Sequence, residues 1–144
     1  MTSSETFLLD VNVLVALLDP NHVHHERAHG WFEAEEHQSW MSCPITQNGV
    51  LRVVSHPRYS NCQPVPIVAD SLRSLLAVGR HIFVPDSMSL LGAVDVQRIL
   101  SSRQITDTYL IALALAHGAR LATFDTKIVT APVRGGAAVL ATIT

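Results

Sequence analysis

ITDTYLIALALAHGARLATFD, residues 105–125, decides how this chain folds. The apolar run from Thr106 to His117 is too long for a strand and reads as a buried helix, with Gly118 as its stop. RLATF, residues 120–124, then reads as a short buried strand. Acids frame the unit: Asp107 opens the helix and Asp125 follows the strand. In a chain with only 15% charged residues, carboxylates at the mouths of two apolar elements need a physical reason.

Working outward, TFLL at residues 6–9 ends in Asp10 and reads as a first buried strand. VNVLVALL follows as a helix stopped by Asp19 and Pro20, and Asn21 can cap a second helix over residues 22–37. SWMS at residues 39–42 is a short strand, and the next helix has Pro44 in its first turn and ends at the His56–Pro57 step. A loop leads to a helix over residues 66–79, closed by Gly79, and a strand at 81–85. Residues 90–103 read as a helix capped by Ser87 or Ser89, and AAVLATIT at 137–144 as a last strand.

The order β-α-α-β-α-α-β-α-α-β-β predicts an α/β fold: one domain over residues 1–144, with a mostly parallel, about five-stranded sheet and helices on both faces. Parallel crossovers are right-handed, so the strands' carboxyl ends share one edge, where such folds bind ligands.

Composition narrows the function. With 48% hydrophobic residues the chain folds rather than staying disordered, and the surplus of apolar surface points to another chain as partner. No run approaches the ~18 apolar residues of a membrane span. MTSSETFLLD has no basic region and does not read as a signal peptide, so a cytoplasmic location is expected. Cys43 and Cys62 have no CxxC partner and read as reduced thiols. A formal charge of −2 argues against coating nucleic acid or membrane. Nine of the ten basic residues are Arg, which suits bidentate phosphate contacts, and Lys127 is the tenth.

The reason for the acids is geometric. Asp10 and Asp125 both follow strands, and a helix running back along its sheet starts at the same carboxyl edge, which places Asp107 there. Three acids spaced 97 and 18 positions apart therefore converge. Convergent carboxylates repel unless a cation neutralises them. Hard oxygen ligands on an open edge suit Mg²⁺, with Mn²⁺ as an alternative, and fit metal-assisted phosphodiester hydrolysis. Taken singly, Asp107 is also an ordinary first-turn acid beside a Thr106 cap, and Asp125 an ordinary turn acid.

FLLDVNVLVALLDPNHVHHERAHGWF, SCPITQNGVLRVVSHPRY and ITDTYLIALALAHGARLATFD, in that order, resemble the blocks of the PIN-domain ribonucleases, specifically VapC-type toxins of type II toxin–antitoxin pairs. The resemblance covers nearly the whole chain. It implies five parallel strands, Mg²⁺-dependent endonuclease activity on RNA, and a cognate antitoxin that blocks the site. By family position Asp10 and Asp107 would be the main catalytic metal ligands, Asp125 would complete the cluster, and Asn12 matches a polar supporting position. One departure stands out: the family carries a Glu on the helix that here begins at Pro44, yet no acid lies between Glu36 and Asp70. The amides of Gln47 or Asn48 could hold a water on the ion but cannot act as a base, and Thr106 is a further supporting candidate. Asp86, after the third strand, is a possible substitute, though a turn acid is the simpler reading.

Other features are secondary. His22, His25 and His29 fall at helical spacing, but without a carboxylate or cysteine in a zinc pattern they read as a solvated or interface face. Arg52, Arg58 and Arg103 are candidates for RNA phosphate contact, while Trp31, Phe32 and Trp40 read as core or dimer interface. An RNA-cleaving toxin is the leading function, acting as a homodimer and held by an antitoxin whose C-terminal segment lies across the edge carrying Asp107. A PIN domain weakened in catalysis, acting as a binding or regulatory module, is the alternative. Receiver domains and haloacid-type phosphatases also place acids at a sheet edge, but they need a second acid where this chain has LLDVN.

Overall fold

Alternation of side chains along short apolar strands builds the centre of the protein, seen in a computed structural model that describes residues 5–35 and 39–144. The strands are β1 (Thr6–Leu9), β2 (Ser39–Ser42), β3 (Arg80–Phe83), β4 (Arg120–Thr123) and β5 (Leu140–Thr142). All neighbours pair in parallel, in the order β3-β2-β1-β4-β5. The helices are α1 (Val11–Leu18), α2 (His25–Ala34), α3 (Pro44–Val54), α4 (Val65–Leu76), α5 (Leu90–Ala93) and α6 (Ile105–Ala116).

The sheet divides the core. Phe7, Leu9 and Ala122 face one way and pack with α1, α3 and α4, while Leu8, Met41 and Leu121 face the other and pack with α6. Helix α6 is buried almost all round, from Thr108 to Ala114, which explains its unbroken apolar sequence. Gly118, at φ +64°, turns the chain from α6 into β4, a conformation costly for any residue with a Cβ. Gly49 matters for a different reason: a Cβ there would stand 2.6 Å from Val11 Cγ2, so its absence lets α1 and α3 approach closely just behind the carboxyl edge.

The expected order of elements holds, but several bounds are corrected. Helix α2 begins at His25 after His24 rather than at an Asn21 cap, and residues 36 and 37 of the expected helix lie outside the described residues. The last strand is only Leu140–Thr142, because Gly136–Val139 form a 3₁₀ turn. Residues 90–103 do not form one helix; only Leu90–Ala93 is α-helical, followed by 3₁₀ turns at Val96–Arg98 and Ser102–Gln104. Local competition accounts for this. Asp95 accepts from the Gln97 N–H and Ser101 from the Arg103 N–H, while Leu91 and Leu100, 88% and 84% exposed, find no core to hold a continuous face. The sheet has the expected helices on both faces. At its edge, strand β3 leaves Ile82 and Phe83 partly exposed.

Candidate active site

The strand order turns at β1: β2 and β3 lie on one side, β4 and β5 on the other. In parallel sheets this turning point opens a crevice beyond the carboxyl ends. Asp10 stands at its mouth. Its backbone N–H donates to Ala122 O at 3.0 Å, extending the β1–β4 ladder, and its side chain caps α1 by accepting from the Val11 N–H at 2.8 Å. The same carboxylate accepts from the hydroxyl of Thr123, the last residue of β4, at 2.8 Å.

Thr123 is fully buried, and its oxygen also accepts from Asn12 Nδ2 at 3.4 Å and from the Asp125 N–H at 3.1 Å. One donor and two lone pairs are thus all in use. Sequence reasoning missed this residue, although a polar side chain inside RLATF was the available signal.

Asp10 and Asp107 both respond to burial and to neighbouring carboxylates. Burial raises the Asp10 carboxyl above its ordinary range against the bonds from Thr123 and Val11, and the charge of Asp125 raises it further. Asp107, half-buried in the first turn of α6, is pushed up to about 6 by burial and then by the charges of Asp10 and Asp125. Asp125 is exposed and also behaves as the turn acid its sequence suggests, accepting from the Lys127 N–H at 2.8 Å.

The donor set fits a hard divalent cation. Among the described residues no group of three or more His, Cys, Asp or Glu side chains is placed to hold a metal ion together. Mg²⁺ does not need one, because it binds one or two carboxylates and keeps water in its remaining positions. The Asn12 carbonyl oxygen is buried without a hydrogen-bond partner, an arrangement that costs ~1–3 kcal/mol unless a cation or its water supplies one.

The remaining candidates are scattered. Gln47, near the start of α3, donates through Nε2 to the Ser42 hydroxyl at 3.0 Å, and Ser42 in turn meets His81 Nε2 at 2.7 Å. Thr106 is exposed inside the first turn of α6, which begins at Ile105, so it is not that helix's cap. Asp86 accepts from the Tyr109 hydroxyl at 3.3 Å. Arg52 and Arg58 lie at the end of α3 and in the loop beyond it, and Arg103 lies in the 3₁₀ turn before α6; all three are exposed. Among the described residues, no ion pair joins them to the three acids.

The histidines have a structural use. His25 Nδ1 donates to Ala16 O at 2.7 Å and His29 Nε2 to Leu17 O at 2.9 Å, closing carbonyls at the end of α1. His22 precedes α2 rather than sharing its face. The expectation of a solvated histidine face is corrected accordingly. Trp40 is core, with Phe32 edge-on to it at 5.5 Å and Trp31 edge-on to Phe7 at 5.1 Å.

Comparison with known proteins identifies the family and the fold. The PIN domain family model matches residues 7–133. The chain is 45% identical over 130 residues to Ribonuclease VapC44 of Mycobacterium tuberculosis (strain ATCC 25618 / H37Rv), covering 89% of this chain and 92% of the relative. It is 43% identical over 127 residues to Ribonuclease VapC38 of the same strain, covering 85% and 87%. In fold it is similar to VapBC2 from Rickettsia felis, solved bound to a DNA fragment from their promoter, with TM-score 0.64, 14% identity and coverage of 96% and 99%. FitAcB from Neisseria gonorrhoeae gives TM-score 0.59, 20% identity and coverage of 93% and 95%. With its turning point after β1, its acids at that edge and a family match across most of its length, the chain belongs to the PIN-domain family, alongside the VapC proteins.

Proposed function

We propose that this chain is an endoribonuclease acting as the toxin of a toxin–antitoxin pair, with residues 1–144 as one nuclease domain. The observation that carries the reading is Asp10 at the turning point of the sheet, held there by Thr123, with the Asp107 carboxyl pushed up to about 6 by burial and by the charges of Asp10 and Asp125. Relatives named as VapC ribonucleases, at up to 45% identity over most of the chain, support it. Asp10 and Asp107 would hold Mg²⁺, or Mn²⁺ in its place, with Asp125 adding charge at the rim. When bound, the ion would activate water and stabilise the leaving oxygen of an RNA phosphodiester.

The protein's own residues prepare that chemistry. Thr123 fixes the direction of the Asp10 carboxylate, and burial around Asp107 strengthens its interaction with any cation. An antitoxin that covers the edge and a homodimer are the partners proposed, with exposed Phe83, Leu91 and Leu100 as apolar surface for other chains. A cytoplasmic setting is proposed with them; among the described residues no helix is long and apolar enough to cross a membrane.

A second reading has its own observation. Helix α3 carries no acid, and the Gln47 amide is engaged with Ser42, so a PIN domain that binds RNA or a partner without rapid turnover is the alternative. Cleavage of a mixed structured RNA pool in Mg²⁺, Mn²⁺ or EDTA, beside Asp107→Asn, separates the two. Metal-dependent cutting lost in the variant supports the nuclease. No cutting at any metal concentration, or cutting that the variant retains, would sink it.

A further inference from the structure

A groove on the α6 side of the sheet contains two arginines that the acid cluster does not use. Ala93, Asp95 and Arg98 line it from the turns after α5, and Ala131, Pro132 and Arg134 from the loop after β4, around about 400 Å³. That is within the roughly 300–1,000 Å³ of ligand clefts. A bond from the Asp95 N–H to Pro132 O at 2.9 Å ties the two walls together. Arg98 pairs with Asp95 at 3.3 Å, and among the described residues Arg134 has no ion-pair partner. The lining therefore carries one net positive charge in a chain of formal charge −2.

The groove's two walls connect along the chain to the elements that carry the acids. One wall runs through residues 99–104 into α6 and Asp107, and the other descends from β4 and Asp125. Val133, next to Arg134, shares a core cluster with Ile111, and a Cβ on Gly136 would come within 3.1 Å of Ile111 Cγ2. Ile111 lies one turn, ~6 Å along the axis, beyond Asp107.

We propose that Arg98 and Arg134 bind a backbone phosphate of the RNA strand whose scissile bond lies at Asp10 and Asp107; this rests on the nuclease reading above. Guanidinium forks match phosphate oxygens bidentately. The chain's overall charge supplies no general attraction for RNA, so local cations have to position the strand. The Asp95 pair restrains Arg98 while leaving Arg134 available. The small side chains of Ala93 and Ala131 keep the groove open to a bulky backbone. Phosphate contacts position without reading bases, so the effect is the same for every RNA sequence.

The test is anisotropy of a labelled single-stranded RNA in EDTA, read across a salt series and paired with steady-state cleavage in Mg²⁺. Arg134→Ala is expected to weaken binding several-fold, and the double Arg98→Ala, Arg134→Ala variant to lower the slope of log K against log salt by ~0.7, the value for one phosphate contact on a single strand. Arg134→Lys should retain most of the binding, Asp95→Asn should tighten it, and where cleavage occurs KM should rise with kcat unchanged. Circular dichroism of Arg134→Lys and Arg134→Ala controls for folding. Unchanged affinity and slope in the double variant overturns the proposal, as does a wild type that binds no RNA, or a double variant that loses a protein partner while keeping RNA. If the wild type cleaves while the variants bind normally, the groove fails and the nuclease stands. If nothing is cleaved but the variants lose RNA, the groove stands and the nuclease fails.

Discussion

The Thr123 hydroxyl donates to the Asp10 carboxylate at 2.8 Å, joining residues 113 positions apart at the ends of two adjacent strands. This bond orients an acid that is both buried and repelled by Asp125. It also leaves Thr123 with both lone pairs engaged, by Asn12 and by the Asp125 backbone.

Thr123→Val should therefore leave three polar groups short of a partner at nearly constant volume. A loss of ~1–3 kcal/mol is expected in urea unfolding, together with weaker Mn²⁺ binding by calorimetry. Thr123→Ser, which keeps the hydroxyl, should recover most of both. Equal behaviour of the Val and Ser variants would show that only the side chain's volume matters.

Asp107 sets a pH dependence. Its carboxyl titrates at about 6 in the folded protein against an ordinary 3.8, so the folded state binds the extra proton between those values. Metal-free protein should therefore gain stability from this group as pH falls from 7 through 6 toward 4. Asp107→Asn should remove that gain and raise the metal-free melting temperature at pH 7.5. The shift corresponds to ~3 kcal/mol, discounted to ~1 kcal/mol for a half-exposed group, or ~2–4 °C. Metal affinity should run the other way and fall below pH 6. A metal-free melting temperature that rises with pH in the wild type and not in the variant would contradict the assignment.

Gln47→Glu tests the missing acid. A carboxylate at the head of α3 adds negative charge near the crevice and can still accept from the Ser42 hydroxyl. Mn²⁺ affinity is expected to rise ~10-fold or more, with a lower metal-free melting temperature from added repulsion. Calorimetry showing unchanged affinity would place Gln47 outside the site.

Away from the crevice, Tyr59 and Asn61 donate to the buried Asp19 at the end of α1. Burial pushes that carboxyl up, but the bonds from Tyr59, Asn61 and the Asn21 backbone outweigh it and hold it below 3.8. Its stabilisation is thus present above 3.8 and lost as pH falls through the folded value. Tyr59→Phe should cost ~1–3 kcal/mol at pH 7, narrowing under acid, without changing metal affinity. A deficit independent of pH in acid unfolding would point to packing alone.

Much was legible in the chain because it rests on local pattern. TFLL, SWMS and RLATF are too short and apolar to be other than buried strands, and their alternation with helices leaves a parallel sheet as the consistent arrangement. That topology puts Asp10 directly after β1, Asp107 in the first turn of α6 and Asp125 two residues after β4. Residues 90–103 were misread because their apolar spacing mimics a helix, whereas side-chain bonds from Asp95 and Ser101 break the ladder. His25 and His29 were misread because their partners, the carbonyls of Ala16 and Leu17, belong to another helix.

Sequence by itself thus determined the element order and the parallel sheet, since both follow from periodicity and chain direction. Only the tertiary structure decided that Thr123 holds Asp10, that the Asn12 oxygen is buried without a partner, and that Arg98 and Arg134 line one groove. Those relationships join residues far apart in the chain through contacts of a few ångströms, and no local pattern encodes a distance across the sheet.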